Sequence, residues 1–308
     1  MLKILRAGIY TTVQDLGRNG FRRLGISQGG ALDVPAMKIA NLLVGNAPDA
    51  AGLEITLGQF SAEFTHSGWI ALTGAGCDAQ LDDKSLWTGW RYPVKKGQRL
   101  TLKLPKHGMR SYLAISGGIA VPEMLGSRST DLKAGFGGFS GRQLKEGDVL
   151  PLGKPQALPL SSVGVRQPLF SNWIRAIPGP EYEEFSPKGQ QDFWRTAWQL
   201  SPQSNRMGYR LNGSSPLTRT TEREMLSHGL LPGVIQVPHG GQPIVLMADA
   251  QTTGGYPRIA CIIEADLYHL AQIRLGEVIH FVPCTLAEAQ RAKAEQDHFI
   301  QQIAWGVK

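Results

Sequence analysis

Three cysteines, Cys77, Cys261 and Cys284, are all that this 308-residue chain contains. The number is odd, the spacings are long and no Cys-x-x-Cys occurs, so neither a disulfide framework nor a thiolate metal site is expected. No run of 18 apolar residues exists, which excludes a membrane-spanning helix. The opening MLKILRAGIYTTVQD becomes polar too early for a secretory leader. These absences predict reduced thiols and a cytoplasmic protein. Charge is scarce as well: 19% of residues are charged and 42% are hydrophobic, a balance that excludes disorder and allows sizeable cores. The net charge of +7 is spread along the chain, and Arg18, Arg22 and Arg23 are the nearest thing to a basic cluster. A nucleic-acid binder would gather such residues among aromatics. Anionic small molecules or an acidic protein partner fit this pattern better.

Catalytic signatures are missing too. There is no G-x-x-x-x-G-K-[ST] phosphate loop and no G-x-G-x-x-G, and GAGC at 74–77 follows a strand without opening a helix. The chain therefore carries no nucleotide site recognisable on its own. Seven histidines, at 66, 107, 228, 239, 269, 280 and 298, never pair as H-x-H or H-E-x-x-H, so no metal site is expected. No G-x-S-x-G occurs. Ser116, Ser129 and Cys77 lie among glycines but have no paired base, which favours structural turns and a buried strand-end thiol.

What the chain has in abundance is glycine, 37 residues, with 19 prolines. Such density marks many short elements joined by tight turns. A strand and a turn are expected over 2–13, and strands at 54–58, 59–65, 68–74, 99–105, 111–118 and 147–153. After an inter-domain strap at 154–168 they resume at 173–179, 204–217, 233–241, 243–249, 256–266 and 277–283. Helices are expected at 35–44, capped by Asp33, and near 187–194, started by Ser186 and Pro187. A short one at 266–273 would be capped by Asp266. A final helix over 285–303 opens on a Thr285–Glu288 capping box and would dock through Leu286, Ala289, Phe299 and Ile303. Strands follow one another with few helices between them, so the fold class is mainly β: two barrel-like domains, at 1–160 and 161–285, and a C-terminal helix at 286–308.

The chemical signal sits in polar, glycine-bearing loops: Gln14, Asp15 and Arg18; Arg128 in GSRST; Ser204, Asn205, Arg206 and Arg210 in SNRMGYR; and Asp249, Gln251, Thr252, Thr253 and Tyr256 in ADAQTTGGYP. Guanidinium groups match carboxylate or phosphate oxygens bidentately, and hydroxyls with glycine-bared N–H groups can hold oxyanions. A small carboxylated substrate suits such a set. The competing reading is that each Arg or Asp braces its own turn.

At these loops the chain resembles the family of biotin-dependent carboxyltransferase-like proteins, long labelled the second subunit of allophanate hydrolase. The matching blocks include QDLGRNGFRRLGISQGGALD (14–33), LEITLG (53–58), YLAISGGI (112–119), LGSRSTD (125–131), SPQSNRMGYRLNG (201–213), GVIQVPHGGQPIVLMADAQTTGGYPRIACI (233–262) and ADLYHLAQI (265–273). They run in order up to about 285. The resemblance implies paired cyclophilin-like β-barrels and a direct partner protein, the B subunit. In many bacteria the nearest members are C subunits of an ATP-dependent 5-oxoprolinase, which together with its A and B subunits opens 5-oxo-L-proline to L-glutamate. The B–C complex is expected to phosphorylate the lactam oxygen. ATP and Mg²⁺ are then the expected cofactors, in complex with the B subunit. No biotin is expected on this chain, because Met37-Lys38 is followed by Ile39 rather than by a second methionine.

In that reading Arg206, Asp249, Gln251 and Thr253 are the catalytic candidates, and Asp15, Arg18, Arg128, Asn205, Arg210 and Tyr256 the substrate-binding ones. The arginines would hold carboxylate or phosphoryl oxygens. Asp15 or Asp249 would orient an arginine or bind nucleotide-borne Mg²⁺. Gln251 and Thr253 would hydrogen-bond the lactam, and Tyr256 would cover the ring. On this reading Arg206→Ala abolishes activity without unfolding the protein. Two other functions remain open at this point. One is a protein of the biotin-dependent carboxyltransferase type, acting on urea or a related amide. The other is a regulatory partner of a histidine-kinase inhibitor.

Overall fold

The computed structural model describes residues 1–155, 161–220 and 225–307; the expected strap at 154–168 lies partly outside them. The chain divides into two compact units. One comprises Met1–Asn19, Gly29–Leu169 and Asp297–Lys308, the other Gly20–Gln28 and Phe170–Gln296.

The first unit is built on eleven strands: β1 (Leu2–Ala7), β2 (Tyr10–Gln14), β3 (Gly52–Thr56), β4 (Phe60–Phe64), β5 (Gly68–Gly76), β6 (Ala79–Leu81), β7 (Lys84–Leu86), β8 (Trp90–Val94), β9 (Arg99–Leu102), β10 (His107–Ile115) and β11 (Val149–Leu150). They form a six-stranded sheet, β11-β1-β4-β9-β6-β7, and a five-stranded sheet, β2-β3-β10-β5-β8. The closed barrel expected here is thus replaced by two sheets. Alternation explains the sheets' shared core: Leu2 and Ile4, Phe60, Ala62 and Phe64, and Leu100 and Leu102 all turn into one apolar cluster with Leu53, Ile55, Leu72 and Leu113. Strands β6 to β8 fall outside the expected set, because the polar hairpin LDDKS interrupts any alternation around them.

Helix α1 (Val34–Leu43) starts as its sequence requires. Asp33 accepts from the Ala36 N–H at 2.9 Å and Pro35 occupies the first turn. Its apolar face packs with Ala71, Ala114, Phe299 and Ile303. The guanidinium of Arg91, 1% exposed, donates to the carbonyls of Leu43 (3.1 Å) and Val307 (3.3 Å), so it meets the carbonyl ends of two helices. Beneath α1 lies a fully buried polar group. Glu54 Oε2 accepts from Leu32 N–H and from the Tyr112 hydroxyl, both at 2.8 Å, and that hydroxyl accepts from Asp33 N–H at 2.8 Å. Burial, with the Glu54 carboxylate beside it, pushes the Tyr112 phenol far above its ordinary range.

The second unit holds a closed seven-stranded barrel in the order β12-β19-β16-β17-β14-β13-β20, made from β12 (Trp173–Pro178), β13 (Trp198–Leu200), β14 (Gly208–Asn212), β16 (Val234–Gln236), β17 (Ile244–Leu246), β19 (Arg258–Ile262) and β20 (Val278–Pro283). A two-stranded ribbon pairs β15 (His228–Gly229) with β18 (Thr253–Gly254). Within the barrel only β12 and β20 run parallel. Helix α2 (Pro187–Arg195) is capped by Ser186, whose hydroxyl accepts from Gly189 N–H at 3.0 Å, and it buries Phe193 against Phe281 with ring centroids 4.9 Å apart.

The short helix α3 (Leu267–Gln272) departs from expectation. Asp266 makes no side-chain cap and instead accepts from the backbone N–H, Nε and Nη2 of Arg175 at 2.7–3.0 Å. A bidentate arginine outcompetes the cap. Helix α4 (Leu286–Gly306) has the expected box: Thr285 N–H and hydroxyl both reach Glu288 Oε2, at 2.7 and 2.8 Å. Ala289 packs as expected, against Ile263 and Ala265, but Leu286 is 64% exposed and does not dock.

Tyr112→Phe should destabilise the first unit by about 2–3 kcal/mol, because it strands a buried N–H and removes a donor from a buried carboxylate. Denaturant unfolding of the purified chain measures this.

Candidate functional site

The candidate loops fall into two sets, one in each unit. In the first unit, Asp15 follows β2 and is 6% exposed. Its Oδ1 accepts from Gly17 N–H (2.8 Å), the Ser127 hydroxyl (2.6 Å) and the Ser129 hydroxyl (2.5 Å), and its Oδ2 accepts from Arg128 N–H (2.5 Å). Asp15 thereby binds the GSRST loop to the end of β2. Gln14 assists, donating to Thr12 Oγ1 at 3.0 Å and to the Thr130 carbonyl at 3.3 Å. Arg18 has no exposed surface; it donates to the Ser129 carbonyl and lies over the Phe136 ring at 4.5 Å. Gly137 is required beside it, since a Cβ there would stand 2.2 Å from both the Arg18 guanidinium and the Ser129 carbonyl. Arg128 differs: Nε donates to the Val121 carbonyl at 3.0 Å and Nη1 stands 3.3 Å from Glu123, yet its side chain is 41% exposed. Ser116 accepts from Trp69 N–H at 3.0 Å and Cys77 is buried, in keeping with structural roles; burial raises the Cys77 thiol above its ordinary value.

In the second unit, Arg206 and Asp249 meet each other. Nε to Oδ2 is 2.8 Å and Nη2 to Oδ1 is 2.9 Å, and the side chains are 5% and 8% exposed. Asp249 N–H also donates to the Arg206 carbonyl at 2.9 Å. Asn205 closes its own turn by accepting from Met207 N–H at 2.8 Å. Arg210 bonds Ser204 through its backbone, while its side chain points outward from β14. Gln251, Thr253 and Tyr256 are exposed on the 249–258 segment, and Tyr256 sits edge-on to His239 with centroids 6.0 Å apart. This arrangement separates bracing residues from presenting ones: Asp15, Arg206 and Asp249 are engaged by protein groups and Arg18 is wholly buried, Arg128 is braced yet partly exposed, and Arg210, Gln251, Thr253 and Tyr256 face outward.

Residues outside the sequence-derived set complete the second group. Glu181 accepts from Arg258 N–H (2.9 Å), Nε (2.8 Å) and Nη2 (2.6 Å). Gln236, 2% exposed on β16, donates to the Tyr256 carbonyl at 3.1 Å. Glu181 lies 77 residues before Arg258, and no local motif joins them; each falls in a block of the family resemblance, Glu181 in RAIPGPEYEEF (175–185) and Arg258 in the block that runs through GYPRIACI.

Among the described residues no three carboxylate, histidine or cysteine groups converge where a metal ion could sit. Asp15 and Asp249 are each held by protein donors. Among the described residues, then, neither Asp15 nor Asp249 stands in a cluster that fits a magnesium ion. None of the described helices is long and apolar enough to cross a membrane.

Comparison with known proteins adds a lineage to this geometry. Residues 24–283 match the family model described as carboxyltransferase domain, subdomain A and B. The chain is 67% identical over 305 residues to the C subunit of 5-oxoprolinase from Escherichia coli K12, covering 99% of this chain and 98% of that one. It is 44% identical over 303 residues to the C subunit of 5-oxoprolinase from Haemophilus influenzae, covering 98% and 97%. A crystal structure of the urea amidolyase of K. lactis superposes with a TM-score of 0.89 at 31% identity, over 98% of this chain and 20% of that one.

Arg206→Ala leaves a carboxylate buried without its partner, so it should cost about 3–5 kcal/mol of stability; the burial of the pair means this variant unfolds more readily rather than reporting on activity alone. Urea denaturation checks this. Glu181 supplies a pH dependence. Burial would raise its carboxyl, but hydrogen bonds from the Arg258 side chain and backbone outweigh it and leave the value below the ordinary one. Its folded value is depressed, so its stabilisation is complete above the ordinary glutamate range, about 4.3, and is lost as pH falls through the lower folded value. Glu181→Gln should flatten that acid limb in thermal melts taken between neutral and strongly acidic pH.

Proposed function

This chain belongs to the family of 5-oxoprolinase C subunits, within the carboxyltransferase-domain proteins, and we propose that it works as the C subunit of an ATP-dependent 5-oxoprolinase that converts 5-oxo-L-proline to L-glutamate. The observation that carries this is the 67% identity maintained over 99% of this chain and 98% of the E. coli protein. The urea reading is weaker on the same scale: the likeness to urea amidolyase is 31% and spans only 20% of that chain.

The chemistry explains why ATP and partner proteins are needed. A five-membered lactam is held by amide resonance and resists attack by water. Phosphorylation of its oxygen gives C5 an electrophilic character and a good leaving group, and the step needs a closed site that keeps bulk water away. This chain has no phosphate loop, so ATP, as co-substrate with magnesium on its phosphates, is assigned to the complex with the B subunit. The A subunit takes the activated ring to hydrolysis. Within this chain, Gln251 and Thr253 are assigned to hydrogen bonds with the lactam, Tyr256 to its ring, and Arg210 to its carboxylate. Arg128 is assigned to anionic oxygens, and Asn205 to shaping the loop that carries Arg206. The Arg206–Asp249 pair and the Asp15–Arg18 group hold these loops in place rather than contact substrate.

Co-expression with the cognate A and B subunits tests the proposal. With 5-oxo-L-proline, ATP and Mg²⁺, glutamate and ADP should form only when this chain is present. Soluble complexes that make no glutamate would refute it, and turnover of urea with a carboxybiotin donor would support the carboxyltransferase reading instead. In the active complex, Gln251→Ala should raise the KM for 5-oxo-L-proline about tenfold, the order expected for losing a hydrogen bond to a buried substrate.

A further inference from the structure

The segment between Asp249 and Arg258 presents Gln251, Thr253 and Tyr256 outward, and those side chains have little packing of their own to hold them. Tyr256 is 43% exposed. Their precision must come from the backbone, and the backbone is fastened on both sides. Upstream, Asp249 is gripped by Arg206, and the Thr252 carbonyl accepts from Leu230 N–H at 2.9 Å. Downstream, Glu181 takes the backbone N–H and two guanidinium nitrogens of Arg258. The carbonyls of Tyr256 and Pro257 are taken by β16 and the residue after it: Gln236 Nε2 donates to the first at 3.1 Å and Val237 N–H to the second at 3.0 Å.

The close approach of the Glu181 turn is itself built in. A Cβ on Gly179 would lie 2.2 Å from the Arg258 carbonyl, and Gly179 N–H donates to the Ile259 carbonyl at 2.9 Å. Gly254 also packs closely: a Cβ there would stand 2.8 Å from the end of the Leu230 side chain and 3.3 Å from the Gln236 amide. Pairing of His228 with Gly254 and of Gly229 with Thr253 covers the same stretch.

From this we propose that Glu181, acting through Arg258, and Gln236 are positioning residues that set the register of the Gln251–Tyr256 segment for recognition of the lactam. Glu181 carries one negative charge to neutralise the guanidinium and enough acceptor capacity to hold side chain and backbone at once, so it sets where the chain leaves Tyr256. Gln236 sets the orientation of the Tyr256 peptide from inside the barrel. Preorganisation of this kind acts on ring recognition, not on nucleotide binding. The proposal rests on reading residues 251–256 as the substrate-recognition loop.

The test is steady-state kinetics of the full complex with Glu181→Gln, Arg258→Lys and Gln236→Leu, measured beside Gln251→Ala. Each positioning variant should raise the KM for 5-oxo-L-proline about tenfold while leaving the KM for ATP within about twofold, because a displaced loop weakens recognition of one substrate only. Glu181→Gln and Arg258→Lys should not add when combined, since both break one contact. A fall in melting temperature with both KM values unchanged would reduce these residues to structural braces and overturn the proposal. If Glu181→Gln does not fold, Arg258→Lys decides, since it keeps the charge and loses the fork. An effect of Gln251→Ala without an effect of the positioning variants overturns the positioning role alone. Silence of Gln251→Ala in an active complex overturns the loop assignment and the positioning role with it, and a wild-type complex without glutamate formation overturns all three.

Discussion

A single carboxylate, that of Asp15, fastens the first unit's glycine-rich loops. It accepts from two hydroxyls and two backbone N–H groups, so loops with little regular secondary structure acquire a fixed path. The Ala31 N–H donates to the Asp15 carbonyl at 2.9 Å, and a Cβ on Gly30 would come within 2.8 Å of Gly17 N. The 14–33 segment is thus tied at both ends before α1 begins. Loops made of glycine lose much entropy on ordering, and a buried anion with four donors is one of the few interactions strong enough to offset that.

The second unit repeats the logic with arginine–carboxylate forks. Arg206 with Asp249, Arg258 with Glu181 and Arg175 with Asp266 each join residues far apart in sequence, with a backbone bond beside the fork. Such pairs are costly to desolvate and are weak as sources of net stability. Their geometric demand is high, which makes them suitable for placing loops on a barrel. The division of labour is physical: a guanidinium whose Nε–Nη2 edge is taken by a carboxylate is held in one orientation, and the side chains of Arg210, Gln251, Thr253 and Tyr256 are the ones that face outward.

That division suits a protein that works as one of several subunits. The chain presents exposed polar side chains on braced loops, but neither a phosphate-binding loop nor, among its described residues, a metal-binding cluster. The activation chemistry of a lactam needs recognition of the ring, a phosphoryl donor and exclusion of water. On the proposed reading, a C subunit that recognises the ring and leaves the nucleotide to a partner would satisfy the first of these needs without carrying the second.

Helix caps and alternating strands were legible from the amino-acid order because they are local. Asp33, Ser186 and the Thr285–Glu288 box sit within four residues of the N–H groups they satisfy, and RLTL or SAEF shows its buried face by period two. The order of blocks such as SNRMGYRLNG and ADAQTTGGYPRIACI was enough to identify the family. Other features depended on contacts between residues remote in sequence. Whether Arg206 faces substrate or Asp249, whether Asp266 caps a helix or holds Arg175, and whether the sheets of the first unit close into a barrel are all decided by which distant partner arrives. Glu181 stood in a matching block, RAIPGPEYEEF, but nothing local marked its pairing, since its partner is 77 residues away. Hydrogen-bond competition between local and distant groups is settled only when the tertiary fold sets the distances, and the composition of a loop carries no record of the winner.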